Sequence, residues 1–386
     1  MLKEHVTYQY QKLFSQSPEL LVIAPGRINL IGEHTDYNEG FVLPAAVDRS
    51  IFFALGLSGH PTRGTLYASD FSSKHQFDLD EIKPLPTGNW QNYLLGVVAE
   101  LKKTGRKLKG FNMVFSGNIP AGAGMSSSAA LECGTCFGLS ELFQLNIPKI
   151  EMVKLCQQAE HNYAGVKCGI MDQFASMMGK RDKALLLDCK TLEYQYFDVQ
   201  LGEYTLLLCN SNVSHSLASS AYNERRNQCD EGVSVLSQSF PAIKSLREAS
   251  IEQLEQVRER MSEVVYRRCS YILKENHRVH QFTKAMMNHD YMEAGDVLNQ
   301  AQQGMKTEYE ITCKEIDFMT EFANSFEGVL GSRMMGGGFG GCTLNLLKKD
   351  RVSMFTEKLD NAYHNRFGRS ISPIQVTITD GVSLLS

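Results

Sequence analysis

The segment at residues 119–132, IPAGAGMSSSAALE, restricts the fold most, because glycines and serines join an apolar run to a helical pattern. The preceding FNMVFSGNIP predicts a strand, and the helix is predicted over residues 127–145. Free N–H groups at such a helix start favour an anion such as phosphate. A serine-capped helix after a tight turn explains the same letters, and the lysine of G-x-x-x-x-G-K-[ST] is absent.

Composition narrows the possible classes of function. The chain has 386 residues, with 39 Lys and Arg against 43 Asp and Glu. Its net charge of −4 therefore lacks the excess of positive charge that indicates nucleic-acid binding. No apolar run approaches the ~18–20 residues that cross a bilayer, and the first residues lack the apolar core of a secretory signal. Ten cysteines without such a signal are expected to be free thiols, which favours a cytoplasmic protein.

Strand and helix patterns together predict an α+β protein with two lobes. Apolar runs separated by Gly, Pro and Asn predict strands through the first half, whereas residues 217–325 are mostly helical in pattern. The last strand is predicted at PIQVTITD, residues 373–380. We place the lobes at residues 1–205 and 206–386. They are expected to pack together because no Gly/Ser/Pro-rich spacer separates them.

A second polar segment, APGRINLIGEHTDYNEGFVLPAA at residues 24–46, lies between apolar flanks. Glu33, His34, Asp36 and Asn38 supply the dense donors and acceptors that a polyhydroxylated ligand needs. A solvated polar turn is the alternative explanation. Arg27 is harder to explain in that way, because a buried guanidinium needs a carboxylate or phosphate partner.

Two single carboxylates stand among apolar neighbours. Asp172, in CGIMDQFASMMG, is a candidate base or ion-pair partner, and Arg27 is its natural partner. An Asp near a helix N-terminus is the simpler alternative. Glu160 follows Cys156 by four residues and shares its helix face, which suggests a Mg²⁺ ligand. A Glu at the edge of a broad helix face remains equally open.

The glycine-rich segment MMGGGFGGCTLNL, residues 334–346, contains G-x-G-x-x-G by coincidence. A dinucleotide fingerprint needs a helix after the glycines, and here a strand is predicted instead. The glycines still indicate a backbone that approaches something closely, either a ligand or the other lobe.

Taken together, these segments resemble the galactokinases, a family of GHMP small-molecule kinases. GRINLIGEHTDYNEGFVLPAA resembles the galactokinase signature, IPAGAGMSSSAALE the phosphate-binding motif, and GGGFGGC the third motif; CGIMDQF and AYNERRNQC also match. The resemblance implies two α+β lobes with the active site between them. It also implies ATP-dependent phosphorylation of α-D-galactose at the anomeric hydroxyl, the entry step of the Leloir pathway, by a monomer that needs Mg²⁺.

By motif position, the resemblance assigns a role to each candidate residue. Asp172 matches the base, and Arg27 matches the group that stabilises the transition state. The residues that match sugar contacts are Glu33, His34, Thr35, Asp36, Gly169 and Tyr222. The residues that match the ATP loop are Gly122, Ala123, Gly124, Met125, Ser126, Ser127 and Ser128. The residues that match Mg²⁺ ligands are Ser128 and Glu160. Looser matches for nucleotide contacts are Ser69, Trp90 and Tyr93.

Two alternatives stay open beside galactose phosphorylation. One is a GHMP kinase with another acceptor, such as N-acetylgalactosamine, because pocket size cannot be read from a sequence. The other is a non-catalytic galactose sensor, which resembles the same motif with residues lost just after the serines. Here Ser128, Ala129 and Ala130 are intact, and both Arg27 and Asp172 are present.

Overall fold

A computed structural model describes residues 2–213 and 218–385 of the chain. Its largest sheet has the order β13-β1-β3-β6-β4-β5 and is antiparallel except for the β4–β6 pair. The last strand pairs with the first one, so the C-terminal residues close the N-terminal lobe. The strands of this sheet are β1 (Leu20–Asn29), β3 (Pro44–Leu57), β4 (Arg63–Ala68), β5 (Ser73–Asp78), β6 (Phe111–Gly117) and β13 (Ser383–Leu384).

Helices cover both faces of this sheet. The core of the lobe lies between β1, β3 and β6 on one side and helices α2 to α5 on the other. Helix α1 packs on the opposite face, where Val6 and Tyr10 meet Ala54 and Val114. The helices are α1 (Leu2–Phe14), α2 (Gln91–Lys103), α3 (Ser127–Leu142), α4 (Lys149–Ala159) and α5 (Met171–Met178).

The second half contains a four-stranded sheet of order β10-β11-β9-β12, and a three-stranded sheet of order β2-β7-β8 includes the end of the polar segment at residues 24–46. The strands are β2 (Phe41–Val42), β7 (Lys183–Asp188), β8 (Tyr194–Asp198), β9 (Tyr204–Asn210), β10 (Val329–Met335), β11 (Cys342–Lys348) and β12 (Ser372–Gln375). The helices are α6 (Ala218–Ser239), α7 (Ile251–Gln256), α8 (Glu263–Met287), α9 (Tyr291–Gly304), α10 (Lys314–Ser325) and α11 (Val352–Phe367). The helical character predicted for residues 217–325 is confirmed from residue 218 onward.

One strand prediction was wrong in part. The run predicted at residues 373–380 pairs with β9 only as far as Gln375. It then leaves that sheet, and Ile378 forms an isolated bridge with Val47 of β3. A Pro at position 373 is compatible with the edge position of β12, where one face of the backbone needs no ladder partner. The segment therefore connects the two sheets instead of extending one.

The strand after the glycine-rich segment is confirmed, because β11 begins at Cys342, and the dinucleotide fingerprint is thereby excluded. The lobe division at residues 205 and 206 falls inside β9 and stays a prediction. Residue 217, where the helical pattern is predicted to begin, lies outside the described residues. Among the described residues, no helix is long and apolar enough to span a membrane.

Candidate active site

Arg27 and Asp172 form an ion pair at the centre of the site. Arg27 lies on β1 just after a register shift, and its side chain is 4% exposed. Its Nε and Nη2 each lie 2.7 Å from Oδ1 of Asp172, which sits in the first turn of α5. The predicted pairing is confirmed. Because Asp172 remains 24% exposed, its carboxylate is reachable from the cavity.

The glycine–serine loop contacts both members of this pair. Nη1 of Arg27 donates to the Gly124 carbonyl, and the Ser126 hydroxyl donates to Oδ2 of Asp172. Ser126 has a left-handed backbone with φ of 55°, and Gly124 has φ of 68°. The loop therefore turns sharply before α3, and this turn points the Ser126 hydroxyl at the carboxylate. Sequence reasoning had placed Ser126 only among nucleotide contacts.

A cavity of about 120 Å³ opens beside the ion pair. Of the predicted sugar contacts, it is lined by Glu33, His34, Asp36 and Tyr222. Burial and the nearby Asp172 raise the pKa of Asp36 to about 6. The structure thus brings residues from two distant segments to one cavity, together with Asp172 itself.

His34 is held in a ring of aromatic side chains. Its Nε2 donates to the Gly337 carbonyl at 3.0 Å, so Nδ1 accepts from the Tyr37 hydroxyl at 2.7 Å. The Tyr222 ring lies 4.8 Å from the imidazole, centroid to centroid. Burial lowers the pKa of His34 to about 4, so the imidazole is neutral at physiological pH. A neutral, fixed ring suits a packing surface in the wall of this cavity.

Thr35 differs from its neighbours in the same loop. Its side chain is fully buried, and its hydroxyl lies 2.8 Å from the Gly32 carbonyl and 2.6 Å from the Phe41 carbonyl. The hydroxyl thus joins the two ends of the loop. A direct contact between Thr35 and a sugar stays a prediction.

The glycine-rich segment after β10 packs against the glycine–serine loop. A β-carbon on Gly336 would lie 3.1 Å from the Gly124 carbonyl oxygen, and one on Gly341 would lie 3.3 Å from that of Gly122. Gly336 has φ of 90°, which an L side chain rarely adopts. The close approach indicated by the sequence is found to another part of the chain, and Gly336 also lines the cavity.

Glu160 lies in a buried polar cluster beside the cavity. It begins a single π-helical turn, residues 160–164, directly after α4. Its Oε2 accepts from Nε2 of Gln173 at 2.6 Å, and the same Nε2 lies 3.0 Å from Oε2 of Glu132. Burial and Asp172 raise the pKa of Glu160 to about 7, and a hydrogen bond from Ser128 opposes that rise.

Glu132 and Gln173 are residues of this cluster that sequence reasoning missed. Oε1 of Glu132 and Oε1 of Gln173 are buried without a hydrogen-bond partner in the described part of the chain. A signal was available for Glu132, since it follows Ser128 by four residues and so shares its face of α3. Gln173 gave no comparable signal beyond its position next to Asp172.

The three residues predicted as looser nucleotide contacts lie on the N-terminal lobe in different surroundings. Ser69 pairs with His5 at 2.7 Å, and the Trp90 indole packs edge-on against Phe115. Among the described residues, no hydrogen bond or ring contact joins Ser69 or Trp90 to residues 122–128. Tyr93 instead lies near Glu160 and Glu132. Burial raises the pKa of Tyr93, and the charges of these two carboxylates raise it further. Nucleotide contacts for these three residues stay predictions.

The lobes and their motifs match family models for GHMP kinases. The N-terminal domain model of the GHMP kinases matches residues 92–180, and the C-terminal model matches residues 282–365. The galactose-binding signature of galactokinases matches residues 8–57. The mevalonate kinase of Methanococcus jannaschii shares the fold, with a TM-score of 0.64 at 16% identity over 94% of this chain and 98% of that one. The fold and the site thus define a GHMP kinase.

Relatives of higher sequence identity show which family of GHMP kinases the chain belongs to. The galactokinase of Thermotoga maritima is 40% identical over 94% of this chain and 99% of its own length. That of Clostridium acetobutylicum is 38% identical over 98% of each chain. The crystal structure of Lactococcus lactis galactokinase complexed with galactose superposes with a TM-score of 0.95 at 36% identity, over 99% of both chains. The chain belongs to the galactokinase family.

Proposed function

We propose that this protein transfers the γ-phosphoryl group of ATP to the anomeric hydroxyl of α-D-galactose, giving α-D-galactose 1-phosphate and ADP. The observation that carries the proposal is the Arg27–Asp172 pair, which lies between the cavity lined by Asp36 and His34 and the glycine–serine loop. A base, a cation and a phosphate-binding loop are the parts that phosphoryl transfer requires. In the cell, this would be the entry step of the Leloir pathway.

Asp172 is the group that takes the proton. As the anomeric oxygen forms its bond to the γ-phosphorus, its proton passes to the Asp172 carboxylate, and the bond from that phosphorus to the β,γ-bridging oxygen of ATP breaks. A positioned base of this kind contributes roughly 10²–10⁴-fold. Oδ1 is held by Arg27 and Oδ2 by Ser126, so the carboxylate is fixed before the sugar enters. Arg27 also places a positive charge where the transferring phosphoryl group becomes more negative.

The loop at residues 122–128 is the proposed site for the phosphates of ATP. Gly122 and Gly124 both have positive φ, at 69° and 68°, and α3 begins at Ser127. This geometry exposes backbone N–H groups at a helix N-terminus, where the helix dipole favours an anion. The loop therefore needs no lysine to bind phosphate.

Ser128 and Glu160 suit a magnesium ion. Glu160 is a buried carboxylate within hydrogen-bonding reach of the Ser128 hydroxyl, and the unpartnered Glu132 Oε1 lies in the same cluster. Oxygen donors of this kind are those that Mg²⁺ prefers. The ion, when bound with ATP, would neutralise charge on the β- and γ-phosphates. Ser128 and Glu160 would hold it beside the loop.

A substrate panel tests the acceptor. We would measure ADP release with galactose, N-acetylgalactosamine and glucose, each with ATP and Mg²⁺. The proposal expects galactose to give the highest kcat/KM. A higher kcat/KM for the acetylated sugar would replace galactose as the acceptor while leaving the kinase assignment intact.

The same assay separates a kinase from a galactose sensor. A kinase releases ADP only when galactose is present, and Asp172→Ala nearly abolishes that release. A sensor would bind galactose and ATP without turnover in the wild-type protein. Galactose-dependent thermal stabilisation without ADP release would therefore favour the sensor.

We also propose a cytoplasmic, monomeric enzyme. The ten cysteines are all free thiols, as expected in a reducing compartment. Light scattering on the purified protein tests the monomer, and fractionation of the source cells tests the compartment.

A further inference from the structure

Arg333 is a buried cation that connects the two lobes. It lies on β10, and its side chain is fully buried. Its Nε donates to the Leu30 carbonyl at 2.9 Å, its Nη2 to the Asn29 carbonyl at 2.6 Å, and its Nη1 to the Met334 carbonyl at 2.8 Å. A buried guanidinium is tolerated only with such partners. The strand of one lobe is thereby attached to the end of β1 in the other.

The same guanidinium also holds Glu33, a proposed sugar contact. Nη2 of Arg333 lies 3.1 Å from Oε2 of Glu33, to which the Asn29 amide also donates. Oε1 of Glu33 accepts from the Gly336 N–H at 2.7 Å. Burial raises the pKa of Glu33, and the Arg333 charge opposes that rise. The carboxylate is therefore fixed by groups from both lobes.

We propose that Arg333 is a positioning residue for sugar binding, acting through Glu33. Glu33 lines the cavity, whereas Arg333 is enclosed and cannot reach a ligand itself. Without Arg333, the Glu33 carboxylate would lose its buried cation and three backbone carbonyls would each lose a donor. Two of those carbonyls, at Asn29 and Leu30, lie in the proposed sugar-binding segment. The inference rests on the proposed function, in which Glu33 contacts the sugar.

Four variants test the proposal: Arg333→Met, Arg333→Lys, Glu33→Gln and the double variant Arg333→Met with Glu33→Gln. The matched control is Arg268→Met, because Arg268 is also buried and paired, but with Gln228, Glu308 and Glu310. For each protein we would measure kcat, the KM for sugar, the KM for ATP and the melting temperature.

We expect Arg333→Met to raise the KM for galactose by about tenfold or more, with the KM for ATP changed by less than about twofold. Adding Glu33→Gln to Arg333→Met should change the galactose KM far less than Glu33→Gln does in the wild-type background, because the two residues act as one unit. Arg268→Met should lower the melting temperature and leave the galactose KM unchanged.

Two results would overturn the proposal. One is an Arg333→Met protein in which both KM values rise equally or neither changes. The other is a double variant whose effects on galactose KM simply multiply. If Arg333→Met does not fold, Arg333→Lys takes its place. Lysine keeps the charge but has only three donors on one nitrogen, too few for three carbonyls and a carboxylate. We therefore expect a severalfold rise in the galactose KM, and an unchanged galactose KM refutes the proposal.

Failure of the proposed function gives a different result. If the wild-type protein prefers another sugar, the acceptor proposal fails, and the same comparison of KM values with that sugar still tests Arg333. If the wild-type protein turns over none of the sugars, the readout is the shift in melting temperature caused by galactose. A shift as large in Arg333→Lys as in the wild type would then refute the positioning role, and a reduced shift would support it.

Discussion

A β-carbon on Gly169 would overlap the carboxylate of Asp36, whose three terminal atoms are its nearest neighbours. Gly169 comes just before α5, which carries Asp172, whereas Asp36 belongs to the polar segment at residues 24–46. Because Gly169 has no side chain, the carboxylate of Asp36 can occupy the space beside it. This contact gives a physical reason for a glycine at position 169. A direct contact between Gly169 and the sugar stays a prediction.

Replacing Gly169 by alanine should weaken galactose binding. The added methyl group must push Asp36 out of place, and a displacement of about 1 Å at a binding group can cost up to about 10²-fold. We expect the KM for galactose to rise by about 10–100-fold, with the KM for ATP little changed. Steady-state kinetics with each substrate varied in turn provide the measurement.

Gly138→Ala is the control for this steric effect. A β-carbon there would meet Leu55 Cδ2 at 2.9 Å in the core of the same lobe. It should lower the melting temperature without raising the galactose KM. Equal changes in galactose KM from both variants would mean that Gly169→Ala acts through the fold.

Replacing Asp172 by asparagine tests the proposed base with the shape of the side chain retained. The amide cannot take the anomeric proton, so we expect kcat to fall by roughly 10²–10⁴-fold. ATP binding should persist, because the phosphates are assigned to the loop at residues 122–128. Single-turnover assays and nucleotide titration of the same protein give the two readouts. Turnover near the wild-type rate would remove Asp172 from the mechanism.

The ion pair of Arg27 with Asp172 could be predicted because each side chain carries a charge that is costly to bury without a partner. Each is a charged group between apolar neighbours, and each needs a partner of opposite charge. The fold class was also predictable, since strand and helix patterns differ between the two halves. These inferences depend on residue type and local pattern, which a single sequence contains.

Other features depend on long-range packing and could not be predicted. Arg333 and Glu33 are 300 residues apart, and nothing local indicates that they meet. Helix α2 was not predicted because residues 94–101 are all buried. The helix therefore shows no polar face repeating every 3.6 residues, which is the pattern that reveals a helix in a sequence. The position of Asp36 against Gly169 is likewise set only by how α5 packs on β1 and β3.

Neighbouring serines in the loop should have separable effects. Ser126 donates to Asp172, whereas Ser128 lies near Glu160 and lowers the pKa of that carboxylate. We expect Ser126→Ala to lower kcat by about tenfold or more, because a hydrogen bond to a charged group is lost. Ser128→Ala should instead raise the Mg²⁺ concentration needed for half-maximal rate and for Mg²⁺-dependent ADP binding. The same shift in Mg²⁺ dependence in both variants would contradict these separate roles.

The pH dependence of sugar binding should follow Asp36. Burial and Asp172 raise its pKa to about 6, whereas the pKa of His34 falls to about 4. A carboxylate accepts bonds from sugar hydroxyls in its ionised form, which predominates above its pKa. As the pH falls below 6, Asp36 takes a proton, and the KM for galactose should rise by up to about tenfold per pH unit. His34 stays neutral from pH 5 to 8 and should add nothing in this range.

Asp36→Asn identifies the group responsible for the rise of the galactose KM below pH 6, which we call the acidic limb of the pH profile. The variant cannot titrate at this position, so its galactose KM should be higher at pH 7.5 but nearly constant from pH 5 to 7.5. His34→Gln should keep the limb, because the imidazole is already neutral across this range and both its nitrogens are bonded within the protein. A limb that survives in Asp36→Asn and disappears in His34→Gln would reverse the assignment. In that case the imidazole, and not the carboxylate, would control sugar binding through its charge.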